Sequence, residues 1–244
     1  MDRKPILESF WRACAGGNLS IVKKLTADHN LTIKDVNSAV FDEPSEYNTA
    51  LSCACGKGHT KIVEWLTIKF GLTVEDVRLF GNLALISACE YGYTETAQFL
   101  VQKFGLTAED ARSQKNCAFR FACENGHIKT AKWMTKEFKL TKNDAQSKNN
   151  YAFVSACIYD RLEVARWLIK KFCFTAEDIQ MGSVNALNLA CFYDRVKIVN
   201  FLLDNYYTIE TALQLSEKSA FSLNMREWLK NYQPCGSFIK VANL

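Results

Sequence analysis

Five Ala-Cys pairs stand in one register. Ala54-Cys55, Ala88-Cys89, Ala122-Cys123, Ala156-Cys157 and Ala190-Cys191 follow one another at intervals of 34 residues, and a sixth, Ala13-Cys14, precedes the first by 41. A fixed period in this range identifies a chain built from repeated supersecondary units, so the period constrains the fold before any single motif does. Ten residues after each in-phase cysteine from Cys55 onward stands a large aromatic (Trp65, Phe99, Trp133, Trp167, Phe201), and five further on another (Phe70, Phe104, Phe138, Phe172, Tyr206). Each unit therefore carries its own apolar scaffold, and that scaffold is expected to be buried.

Within a unit the spacing is helical. In the unit from Asn116, Phe119, Ala122 and Cys123 fall at i, i+3 and i+4, and after Gly126 the residues Ile128, Ala131, Met134 and Phe138 continue at helical intervals. Two helices joined by a tight turn satisfy this pattern. The turn carries Gly17, Gly58, Gly92 and Gly126, then Asp160 and Asp194, where a positive φ is needed. An asparagine column ahead of the first helix (Asn48, Asn82, Asn116, Asn150) predicts N-caps that serve structure rather than a ligand. After the second helix comes Thr73-x-x-Asp76, Thr107-x-x-Asp110 or Thr175-x-x-Asp178, the signature of a capping box opening a short third helix. A helix pair this small cannot bury its apolar face alone, so neighbouring units supply the core.

Composition agrees. The 244 residues are 48% apolar and 23% charged with only 3 prolines and 11 glycines, which suits a globular helical chain and not an all-β one. No apolar run reaches the ~18 residues of a membrane span, and Met1-Asp2-Arg3-Lys4-Pro5 lacks the apolar stretch of a signal peptide. The chain is expected in the reducing cytoplasm or nucleus, with its ten cysteines as free thiols.

Thr49-Ala50-Leu51-Ser52-Cys53-Ala54-Cys55-Gly56-Lys57-Gly58-His59-Thr60-Lys61-Ile62-Val63-Glu64-Trp65-Leu66 resembles an ankyrin repeat, and the likeness extends over about residues 7 to 210. Gly-His is intact only at Gly58-His59 and Gly126-His127, the Pro and His of Thr-Pro-Leu-His are missing throughout, and Leu-Thr-x-x-Asp stands where the family has its hairpin segment. The endings are similar to divergent arrays of large DNA viruses of amoebae and of single-celled eukaryotes. The resemblance implies an all-α, ankyrin-like solenoid of stacked helix-turn-helix repeats, with a short third helix in place of the β-hairpin finger. One domain is expected over residues 1–232, in units 7–47, 48–81, 82–115, 116–149, 150–183 and 184–210, a degenerate cap at 211–232 and a tail at 233–244. Seven extra residues around Asp42 to Tyr47, with Pro44 and three acids, predict a surface protrusion.

The residues offer little chemistry. Cys53-x-Cys55-x-x-x-His59 is the one local metal-like cluster and lacks a second pair, and in-phase cysteines one repeat apart exceed disulfide reach. His59 and His127 belong to the repeat turn and His29 stands alone, so no catalytic triad has a base. Gly56-Lys57-Gly58 is not a phosphate loop. No catalytic residue, metal or cofactor is expected, and no small-molecule substrate.

Recognition is the remaining function. The resemblance places the two residues after each in-phase cysteine on the concave side of the array: Gly56-Lys57, Glu90-Tyr91, Glu124-Asn125, Ile158-Tyr159 and Phe192-Tyr193. They vary against a constant frame, and aromatics are enriched at binding hot spots. The predicted partner-binding set is Lys57, Phe80, Glu90, Tyr91, Arg120, Glu124, Asn125, Ile158, Tyr159, Phe192 and Tyr193, presented by a monomer to a protein. The alternatives are an adaptor subunit of a larger enzyme and a nucleic-acid-binding solenoid. Residues 105–150 hold nine Lys/Arg against five acids, and Lys129, Lys132 and Lys136 share a helix face.

Overall fold

A computed structural model describes residues 3–38, 40–41, 47–180 and 185–233 of the chain. It divides into two compact units, Met1–Asp144 and Ala145–Leu244.

The first unit runs α1 (Lys4–Ala15), α2 (Leu19–Asp28), α3 (Ile33–Asn37), β1 (Val40–Phe41), β2 (Tyr47–Asn48), α4 (Ala50–Cys55), α5 (Thr60–Phe70), α6 (Val74–Glu90), α7 (Thr94–Phe104), α8 (Ala108–Glu124), α9 (Ile128–Glu137) and α10 (Lys142–Ala145). α1, α4, α6 and α8 pack successively, and α7 packs between α5 and α9. The second unit runs α11 (Ser147–Ile158), α12 (Leu162–Phe172), α13 (Ala176–Gln180), α14 (Ala186–Phe192), α15 (Val196–Asn205), α16 (Ile209–Lys218) and α17 (Leu223–Lys230), with α11 against α12 and α14, and α14 against α15. Both are stacks of helix-turn-helix repeats, an all-helical ankyrin-like solenoid fold. The strands β1 and β2 add a two-residue antiparallel ladder between the first two repeats, Val40 opposite Asn48 and Phe41 opposite Tyr47. The rest of the expected protrusion, Asp42 to Glu46, and the tail beyond Gln233 lie outside the described residues.

The in-phase cysteines are the axis of both cores. Cys14, Cys55, Cys89, Cys123, Cys157 and Cys191 are each fully buried. Each replaces the small residue that lets adjacent first helices approach closely. The turn column has the backbone its residues require: φ is +73°, +70°, +77° and +83° at Gly17, Gly58, Gly92 and Gly126, and +56° at Asp160 and Asp194. At Gly17 and Gly92 a second reason operates, because a Cβ there would strike the His59 or His127 ring of the next repeat. His59 in turn hydrogen-bonds the Ala15 carbonyl through Nε2 at 2.9 Å.

The capping boxes form at Thr73–Asp76, Thr107–Asp110 and Thr175–Asp178, and also at Thr32–Asp35 and Thr141–Asp144. Each opens the third helix, which in α6 and α8 runs into the first helix of the next repeat across a kink of non-helical backbone.

That junction overturns the N-cap reading of the asparagine column. Phe80, Gly81 and Asn82 have φ of +53°, +68° and +67°; Gln114, Lys115 and Asn116 have +49°, +59° and +61°; Lys148, Asn149 and Asn150 have +52°, +57° and +62°. Each triplet is one turn of left-handed backbone, whereas an N-cap is extended. Asparagine is tolerated there because its short side chain bonds locally or to a neighbour. Asn82 Nδ2 donates to the Asp110 carbonyl at 3.3 Å, and Asn150 Nδ2 to the Asp178 carbonyl at 2.6 Å. At Asn82 and Asn150 the side chain thus ties one repeat to the next. Asn48's side chain lies outside the described residues.

The aromatic column also departs from expectation. Trp65, Phe99, Trp133, Trp167 and Phe201 are half-buried, not fully enclosed. Four of them set an edge against the second aromatic of their own repeat, with centroids 5.9 Å apart in Trp65–Phe70, Trp133–Phe138 and Phe201–Tyr206 and 6.0 Å in Trp167–Phe172. The residue beside each of these aromatics is the enclosed one: Leu66, Leu100, Met134, Leu168 and Leu202 are fully buried. Each follows its aromatic by one residue, about 100° further round the helix, which turns it into the core and the ring towards the flank.

Candidate functional site

The first helix of each repeat ends where most of the expected recognition residues stand. Glu90 is the last residue of α6 and Tyr91 its C-cap, Glu124 and Asn125 do the same for α8, Ile158 and Tyr159 for α11, and Phe192 and Tyr193 for α14. Helix ends need backbone capping but place no demand on the outward side chain, so these positions are free to vary.

In the first unit Tyr91 is exposed, and the Lys57 ammonium lies 5.3 Å from its ring centroid, a cation–π contact that holds both side chains at the surface. Glu90 and Glu124 are half-buried and Asn125 is exposed, its Nδ2 donating to the Phe121 carbonyl at 3.2 Å. Phe80 is 40% exposed but sits in the left-handed junction, remote in the repeat from the helix ends. For a bulky aromatic this backbone is strained.

Arg120 does not belong to a surface set. It is 3% exposed, and its guanidinium donates to the carbonyls of Lys115 at 2.8 Å and Gln114 at 3.2 Å, stapling the left-handed turn inside α8. The carbonyls of Gln114 and Lys115 point back at Arg120, and its buried guanidinium satisfies both.

The second unit gathers the aromatics. Tyr159, Phe192 and Tyr193 are exposed, the last two rings edge to face at 5.1 Å, while Ile158 is half-buried. Arg195 joins them, which the residue pattern did not reveal. Its Nε donates to the Ile158 carbonyl at 2.6 Å and its guanidinium lies 6.0 Å over the Tyr193 ring, fixing that ring's orientation. The available signal was positional, since Arg195 occupies the turn column that holds His59 and His127 in earlier repeats. Exposed rings held this way form an apolar surface with polar handles, suited to desolvation by a partner.

The basic face of α9 is less positive than its composition. Lys129, Lys132 and Lys136 are exposed, and Lys129 is paired with Glu95 of α7, which holds the Glu95 carboxyl below its usual range. Among the described residues no three His, Cys, Asp or Glu gather as a metal site, and no helix is long and apolar enough to cross a membrane. Cys55 is enclosed, Cys53 half-buried, and His59 engaged with Ala15. All nine described cysteines are free thiols, and burial pushes the in-phase ones well above the ordinary thiol range, to about 12 at Cys191.

A family model described as "Ankyrin repeats (3 copies)" matches residues 10–110 and 119–212. Among solved structures the human ASB11 ankyrin repeat domain is similar, with a TM-score of 0.62 at 19% sequence identity over 93% of this chain and 99% of that one. No curated protein matches the sequence.

Proposed function

Because the chain belongs to the ankyrin-repeat family, we propose that it is a non-enzymatic scaffold that binds a protein partner through the exposed side chains at the ends of its first helices, the face the family presents as concave. The observation that carries this reading is the second unit's patch: Tyr159, Phe192 and Tyr193 expose 44–46% of their surface although nothing in the repeat requires aromatics there. Rings of this kind dominate affinity when a partner buries them. The scaffold's contribution is preorganisation. Arg195 and the helix ends hold the patch before binding, so little ordering entropy is lost on association.

Photocrosslinking tests it. A benzophenone side chain installed at Tyr159 or Tyr193 is expected to trap the same protein in the native host, whereas one at Lys132 on the second-helix face traps none. The triple variant Tyr159→Ser, Phe192→Ser, Tyr193→Ser is expected to lose that protein while keeping its melting temperature within a few degrees, since exposed positions contribute within ~0.5 kcal/mol each. Crosslinking from Lys132 alone would overturn the assignment of the face.

A further inference from the structure

We draw no further inference here: the strongest candidate, the exposed apolar pair Leu79 and Phe80 on the left-handed junction within α6, carries nothing because nothing in the structure shows what covers it.

Discussion

Arg78 reaches from one repeat to the capping box of the next, its Nε donating to Asp110 Oδ1 at 2.8 Å and its Nη2 to Oδ2 at 3.1 Å. Arg112 repeats the contact on Asp144 at 2.8 and 3.0 Å, and Gln146 replaces it on Asp178 with a single bond at 2.8 Å. The acid that caps its own third helix is thus also the receptor for the preceding repeat. Local helix initiation and repeat stacking are fastened at one carboxylate.

Replacing Arg112 by Ala is expected to cost about 1 kcal/mol, read from denaturant unfolding, because the guanidinium is partly solvated and Asp144 keeps its two Thr141 bonds. The pH dependence has a definite sign. Burial raises the Asp144 carboxyl, but Arg112 and Thr141 outweigh it and hold it at about 2, below its unfolded value of ~3.9. The stabilisation is therefore complete above pH ~4 and is lost as pH falls towards 2. The Arg112→Ala difference in stability should shrink across that window and vanish at its foot.

Thiol labelling without denaturant should separate two classes. Cys173, exposed at the left-handed C-cap of α12, is expected to react fast, whereas the six in-phase cysteines should react only on unfolding. Rapid modification of Cys123 or Cys157 in the native state would contradict their enclosure.

Met134→Ala should destabilise more than Trp133→Ala, although the indole is much larger. Met134 is fully enclosed and its loss leaves a cavity costing about 2–5 kcal/mol. Trp133 is half-buried at the flank, so its truncation should cost about 1–2 kcal/mol of lost apolar contact. The reverse order in thermal melts would place the ring in the core.

Phe80→Gly is expected to raise stability by up to about 1 kcal/mol, since glycine adopts a φ of +53° without a side-chain clash and Phe80 is 40% exposed. Asn150→Ala should cost about 1–3 kcal/mol, from the unsatisfied Asp178 carbonyl and the left-handed backbone together. Equal melting temperatures for Asn150→Ala and the natural chain would show that the junction does not depend on that bond.

The sequence by itself determined the period, the helix pair, the turn with its positive φ and the capping boxes. All of these are written in local spacing and in residues whose backbone preferences act over three or four positions. It also marked the aromatic positions at the helix ends, since the repeat holds everything around them constant. Tertiary structure alone decided the asparagine column, the fate of Arg120 and the depth of the tryptophans. An asparagine satisfies either an N-cap or a left-handed turn, and the choice falls to a carbonyl on the next repeat, 28 residues away. Arg120 reads as a surface cation until the left-handed turn aims its carbonyls at it. Periodicity assigns a residue to a face of its own helix, whereas burial depends on how far the neighbouring helix covers that face, and that distance is set by packing between repeats rather than by any spacing within one.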